Sequence, residues 1–181
     1  AETGIPLIKK YSGKMDDHGK TYVSAATVFV SHSWKYNFND VVITAMQQHA
    51  TEYPESYFWL DLFTNDQQKV TGKSFEWFST TFRVMIKNIG ATLLILSPWD
   101  NPAPLHRVWC LFEIFATLET ESKLHIQVPI SERKTLGEAV VQDSVCLIQA
   151  LSTIRIEKAD ASETSDRTSI LKVIQNSEGG Y

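Results

Sequence analysis

The sequence predicts an α/β fold built on a parallel, doubly wound sheet, and three observations predict it. Short apolar runs of strand length alternate with longer segments of helical periodicity, in five strand-then-helix units. One run, Thr92-Leu93-Leu94-Ile95-Leu96, is unbroken and too short for a helix, as a strand buried on both faces reads. One helix is chemically marked at both ends, with Ser74 as N-cap and Glu76 in its first turn, then Lys87 in its last turn and Gly90 beyond.

Taken in order, residues 1–22 are polar, unperiodic and punctuated by glycine, and are expected to be a flexible lead. A single domain is expected over 23–176, followed by a tail over 177–181. Ala26 to Val30 forms the first strand and runs into Ser31-His32-Ser33-Trp34. Asn37 or Asn39 caps a helix with Val41, Val42, Ala45 and Met46 on one face. Tyr57 to Phe63 is a second strand, aromatic-rich and interrupted by Asp61. After the polar loop Thr64 to Gly72, the marked helix carries Phe75, Phe78, Phe82, Met85, Ile86 and Ile89 on one stripe.

The third strand, Thr92 to Leu96, opens into Ser97-Pro98-Trp99-Asp100, where prolines forbid both strand and helix. A helix begins near Leu105, with Leu105, Val108, Trp109, Phe112, Phe115 and Ala116 on its apolar face. Leu124 to Val128 is a fourth strand, ended by Pro129. Thr135 and Glu138 read as a capping box for a helix to about Leu151, Thr153 to Ile156 as a short fifth strand, and Asp166 to Gln175 as a last helix. Five such units suit a flavodoxin-like three-layer αβα sandwich with a five-stranded parallel sheet in the order 2-1-3-4-5. Ligands of such sheets bind at the carboxyl ends of the strands flanking the switch point. Here those ends are Ser31 to Trp34 and Ser97 to Asp100.

Composition narrows the function. The net charge of −4 and the longest basic run, Lys9-Lys10, exclude a general nucleic-acid binder and a polybasic membrane patch. No apolar run approaches the length of a membrane span, and no signal-peptide pattern opens the chain. Cys110 and Cys146 are expected as free thiols of a reducing, cytoplasmic compartment. Neither a G-x-G-x-x-G nor a P-loop pattern is present, and His and Cys lack zinc spacing, so no metal or cofactor is expected.

Several residues read two ways. Cys110 with His106 one turn earlier suits a nucleophile and base, or inert packing. His32 suits a base, a ligand contact or a hydrogen-bonded structural histidine. Trp34 suits stacking on a flat ligand ring or covering the sheet edge. Asp61 suits a crevice acid or a structural acid with its own partner. His106, Cys110, Glu113 and Thr117 fall on one line beside the apolar stripe, so Glu113 is either a surface glutamate or a carboxylate at the crevice its helix leaves.

The segments VFVSHS, FWLDLF and LLILSPW followed by RVWCLFEI together resemble TIR (Toll/interleukin-1 receptor) domains. The most specific element is Trp-Cys-x-x-Glu, present as Trp109-Cys110-Leu111-Phe112-Glu113. The resemblance spans about residues 26–176 as an order of elements. It departs in the loop SHSWKYNF, where family members often carry arginine or glycine. It implies the same five-stranded fold and two classes of function. Many members are homotypic assembly modules in innate immune or cell-death signalling, and the loop Thr64 to Gly72 lies where the family's assembly loop lies. A subset cleaves NAD+ to nicotinamide and ADP-ribose or a cyclic product. On that reading Glu113 is the catalytic residue, and Ser31, His32, Ser33, Trp34, Asp61, Ser97, Trp109 and Cys110 line the site. NAD+ is then substrate rather than cofactor, and self-association is the expected protein contact.

Overall fold

Alternation along two short strands decides how the helices are laid on the sheet. In the computed structural model, which describes residues 7–64, 74–152, 154–161 and 163–177, β1 is Val28–Ser31 and β3 is Ala91–Ile95. Val28, Val30, Leu93 and Ile95 pack to one side, with Val42 and Ala45 beneath them. Phe29 packs to the other, against Ile86, Val108, Leu111, Phe112, Ile170 and Ile174. Successive strand residues face opposite ways, so Ser31 lies on the Phe29 side.

With β2 (Phe58–Trp59) and β4 (Lys123–Gln127) the sheet has four parallel strands in the order β2-β1-β3-β4. This is an α/β fold with helices on both faces, and the order is that of the first four strands of the expected topology. The fifth expected strand is not found among the described residues. Thr153 lies outside them, and Ile156–Lys158 is a 3-10 turn whose Ile156 packs into the core. The remaining sheet-like contact there is a parallel bridge between Arg107 and Asp160.

The helices are α1 (Leu7–Tyr11), α2 (Thr44–Glu52), α3 (Asp61–Thr64), α4 (Phe75–Ile89), α5 (Val108–Glu119), α6 (Ile130–Gln142), α7 (Cys146–Ser152) and α8 (Thr164–Gln175). α1 falls inside the expected lead. A π-helical turn, Phe38–Ile43, precedes α2, and Asn37 caps it by accepting from the N–H groups of Asn39 and Asp40. α4 keeps both of its marked ends, Ser74 accepting from Trp77 N–H and Gly90 taking a left-handed φ of 79°. Among the described residues no helix is long and apolar enough to cross a membrane.

Three further expectations are corrected. The second strand stops at Trp59, because Leu60 turns its carbonyl to Phe63 N–H (2.9 Å) and Thr64 N–H (3.1 Å) and so starts α3. Asp61 therefore opens a helix rather than interrupting a strand. Thr135 and Glu138 are no capping box, since both lie inside α6, Thr135 Oγ1 donating to the Glu132 carbonyl at 2.9 Å. The helix expected to reach Leu151 breaks at Asp143, whose Oδ1 accepts from Val145 N–H at 2.8 Å before α7 begins. Most of the expected assembly loop, residues 65–72, lies outside the described residues.

α5 is the helix that matters to the site. Its apolar side enters an aromatic cluster in which Trp109 meets Phe75, Phe78, Phe82 and Phe112 at centroid distances of 5.7–5.9 Å. Its polar line, Cys110-Glu113-Thr117, faces the end of β1 and the start of β3. Thr117 donates its single hydroxyl hydrogen to the Glu113 carbonyl at 2.6 Å. The buried Thr92 on β3 must then be the donor across the 2.8 Å contact to Thr117 Oγ1. Thr117→Val is expected to strand the Thr92 hydroxyl and cost about 1–3 kcal/mol, whereas Thr92→Val with Thr117→Val should recover much of that loss. Urea unfolding of the two variants measures both, and a single variant as stable as wild type contradicts the pairing.

Candidate functional site

β1 delivers Ser31 to the face α5 covers, one residue before the strand gives way to a turn. The Ser31 side chain is wholly buried, and its Oγ donates to Glu113 Oε2 at 2.5 Å. One residue on, the His32 carbonyl accepts the Cys110 thiol at 3.4 Å. Each member of the polar line on α5 thus meets one point on the β1–β3 side of the sheet. Glu113 is half-buried. Loss of solvent pushes its carboxyl up to about 8, with the Asp61 charge adding to that rise and the Ser31 hydroxyl and the Arg107 cation opposing it.

Electrostatics join more residues to this carboxyl. His32 is buried, and its desolvation lowers the imidazole pKa, with Arg107 acting the same way and Asp61 against it. A neutral imidazole at neutral pH follows. Burial also raises the Cys110 thiol, with Glu113 adding to the effect. Cys110 is therefore a packed thiol and not a ready thiolate. His106 offers it no base. The chain leaves helical geometry at Arg107 (φ −114°, ψ 122°), and His106 Nε2 meets Asn101 Oδ1 at 2.6 Å. The helix expected to begin near Leu105 begins at Val108, Leu105 lying in the 3-10 turn Ala103–His106, so the i, i+4 spacing of His106 and Cys110 spans a break between that turn and α5.

The turn after β1 also carries an exposed aromatic. Trp34 is 58% exposed, and its indole N–H donates to Asp61 Oδ2 at 3.0 Å. Its ring is oriented by that bond, with most of its surface left to solvent. Ser31, His32, Trp34, Asp61, Cys110 and Glu113 are thus brought to one end of the sheet. Ser33 is wholly buried beneath the turn, its Oγ accepting from Lys35 N–H at 3.3 Å. Trp109 is committed to the aromatic cluster, with its N–H on Asp166 Oδ2 at 3.2 Å.

Ser97 belongs to a second constellation. Its Oγ donates to the Glu132 carboxylate, which also accepts Trp99 N–H at 2.7 Å. Tyr36 donates to the Ser97 carbonyl at 2.6 Å and accepts Ser97 N–H at 2.9 Å. Glu132 and Tyr36 therefore hold the mouth of β3, and sequence reasoning missed both. Arg107 was missed as well. Its one visible signal is a charge standing just before the apolar Val108-Trp109 start of α5.

Among the described residues no group of three or more His, Cys, Asp or Glu is placed to hold a metal ion. Comparison of the chain with family models, curated proteins and solved structures finds no match. What the site can do chemically rests on its own groups. They are a carboxyl whose charge is held in reserve, a cation beside it, and an exposed indole at the rim.

The raised carboxyl has a consequence for stability. Between its ordinary value of 4.5 and about 8, folded Glu113 holds a proton that the unfolded chain has released. Its contribution is therefore full below the ordinary value and is lost as pH rises through 8. Glu113→Gln stays neutral throughout, so wild type should lose roughly 2–4 kcal/mol relative to the variant between pH 5 and pH 9. Denaturant unfolding across that range measures the difference, and parallel curves contradict the raised carboxyl.

Proposed function

We propose that this chain is a divergent TIR-like domain that cleaves the nicotinamide–ribose bond of NAD+, with Glu113 as the catalytic carboxylate. The observation that carries the reading is the Ser31–Glu113 hydrogen bond, which sets one carboxyl at the crevice end of β1, the strand end from which the exposed Trp34 ring, oriented by Asp61, also projects. Cleavage breaks the bond between ribose C1′ and the pyridinium nitrogen. The electron pair leaves with nicotinamide, which departs neutral, and positive charge gathers on the ribose. An ionised Glu113 near that sugar stabilises the developing cation more than the ground state. Water then adds at C1′, giving ADP-ribose and releasing one proton. No general acid is needed, because the leaving group is already cationic, so a lone carboxylate suffices where glycosidases use two.

Holding Glu113 mostly protonated before substrate arrives fits this chemistry. A buried carboxyl with a raised pKa ionises readily when a cation is placed against it, and NAD+ brings one in its pyridinium. The Trp34 ring, tied to Asp61, suits stacking on a flat ring of the nucleotide. Ser31 then positions the carboxylate and does not react.

A second reading is a non-catalytic homotypic module. It is favoured by exposed apolar side chains on α6 and α7, among them Val141 (87% exposed), Ile148 (66%) and Leu151 (53%), more than a lone surface residue requires. On that reading the Ser31–Glu113 bond only fastens α5 to the sheet.

The two readings separate on nicotinamide release from NAD+ by concentrated protein. Glu113→Gln should lower release about a hundredfold, on the order of 3 kcal/mol in the barrier, with folding matched by circular dichroism. The ionised form is the active one, so kcat/KM should climb from pH 6 and level off above about 8. Equal release by wild type and variant removes Glu113 from the mechanism. No release from wild type at any concentration favours the module.

A further inference from the structure

Arg107 carries a buried guanidinium nitrogen, Nη1, with no hydrogen-bond partner among the described residues. Such an orphan donor is costly and asks for an explanation. The backbone around it is held firmly, since Arg107 bridges to Asp160, Val108 N–H donates to the Asp160 carbonyl at 2.9 Å, and Asp160 N–H donates to the His106 carbonyl at 2.8 Å. The side chain is therefore aimed from a fixed point.

The neighbouring Glu113 carboxyl does not answer for it. The cation lies near enough to act on Glu113, His32 and Cys110, yet the Glu113 oxygen Oε2 is taken by Ser31. Nor does α5 offset the charge, because Arg107 stands at the N-cap position, the positive end of the helix. An anionic group supplied from outside would satisfy the donor and the charge together.

We infer that Arg107 is a phosphoryl-binding residue of the Glu113 site, donating from Nη1 to an oxygen of a nucleotide's diphosphate. The inference rests on the proposed reading that a nucleotide's ribose lies at Glu113, and it gives that site two poles. The carboxyl faces the sugar that becomes cationic, and the guanidinium faces the phosphates that are anionic throughout. Arginine suits the second role because its planar fork matches phosphate oxygens.

ADP is the probe, since it carries the diphosphate and no bond to be cleaved. Binding is measured by calorimetry with wild type, Arg107→Gln and Arg107→Lys. ADP should bind wild type, bind Arg107→Gln about tenfold or more weakly, and bind Arg107→Lys at a level between the two. It should also raise the wild-type thermal midpoint and leave that of Arg107→Gln unmoved, while unliganded Arg107→Gln should be no less stable than wild type because the guanidinium nitrogen has no partner to lose. ADP binding lost in Arg107→Gln upholds the inference even where wild type releases no nicotinamide, which sinks only the cleavage reading. Wild type that fails to bind ADP overturns the inference, as does equal ADP affinity in wild type and Arg107→Gln. NAD+ cleavage with an unchanged KM in Arg107→Gln overturns it while leaving cleavage intact.

Discussion

A carboxyl drawn out of water at the junction of β1 and α5 is the constraint on which the rest of this site depends. Burial favours its neutral form, and the Ser31 hydroxyl is the hydrogen bond that makes that burial tolerable. Both groups owe their positions to packing elsewhere. Ser31 faces α5 because it is two residues beyond Phe29 on a strand with both faces covered. Glu113 faces the sheet because Trp109 and Phe112, on the adjoining stripe, are gripped by Phe75, Phe78 and Phe82 of α4. Turning α5 to expose Glu113 would pull the aromatic stripe out of the core.

The polar line on α5 works as a set of three contacts spaced along the helix. Thr117 is joined to Thr92 near the start of β3, Glu113 to Ser31 at the end of β1, and Cys110 to the His32 carbonyl one residue beyond. The first is buried and structural, and it fixes the register of helix against sheet. The middle contact holds the titratable group. Beyond the third the helix ends and Arg107 begins, so the carboxyl and the guanidinium come from opposite sides of the helix start. The Ser97–Glu132–Tyr36 constellation braces the neighbouring mouth without taking part in this line.

Legibility in the sequence followed the physics of each element. The apolar run of β3 and the capped, amphipathic α4 were readable because their signals are local and redundant. The end of β2 was not. Phe58 to Phe63 is equally apolar in either state, and the turn at Leu60 comes from backbone bonding that residue type does not announce. The Thr135–Glu138 pair matched a capping pattern while lying inside a helix already begun at Ile130, so a short motif was outweighed by its context. In the site, Ser31, Trp34, Asp61 and Glu113 could be named from strand ends and helical spacing. Their partnerships could not, because Ser31 and Glu113 are 82 residues apart and meet only once the sheet has formed. Arg107, Glu132 and Tyr36 escaped for the same reason, their roles being defined wholly by what they touch or fail to touch.

The account turns on a Glu113 carboxyl that is neutral at rest and held by Ser31. Carboxyl carbon-13 NMR titration tests this most directly, with the Glu113 signal identified by its loss in Glu113→Gln. The account predicts a midpoint near 8 in wild type. It predicts a still higher one in Ser31→Ala, because the serine hydroxyl favours the charged form. A wild-type midpoint at the ordinary 4.5, unmoved by Ser31→Ala, would contradict it.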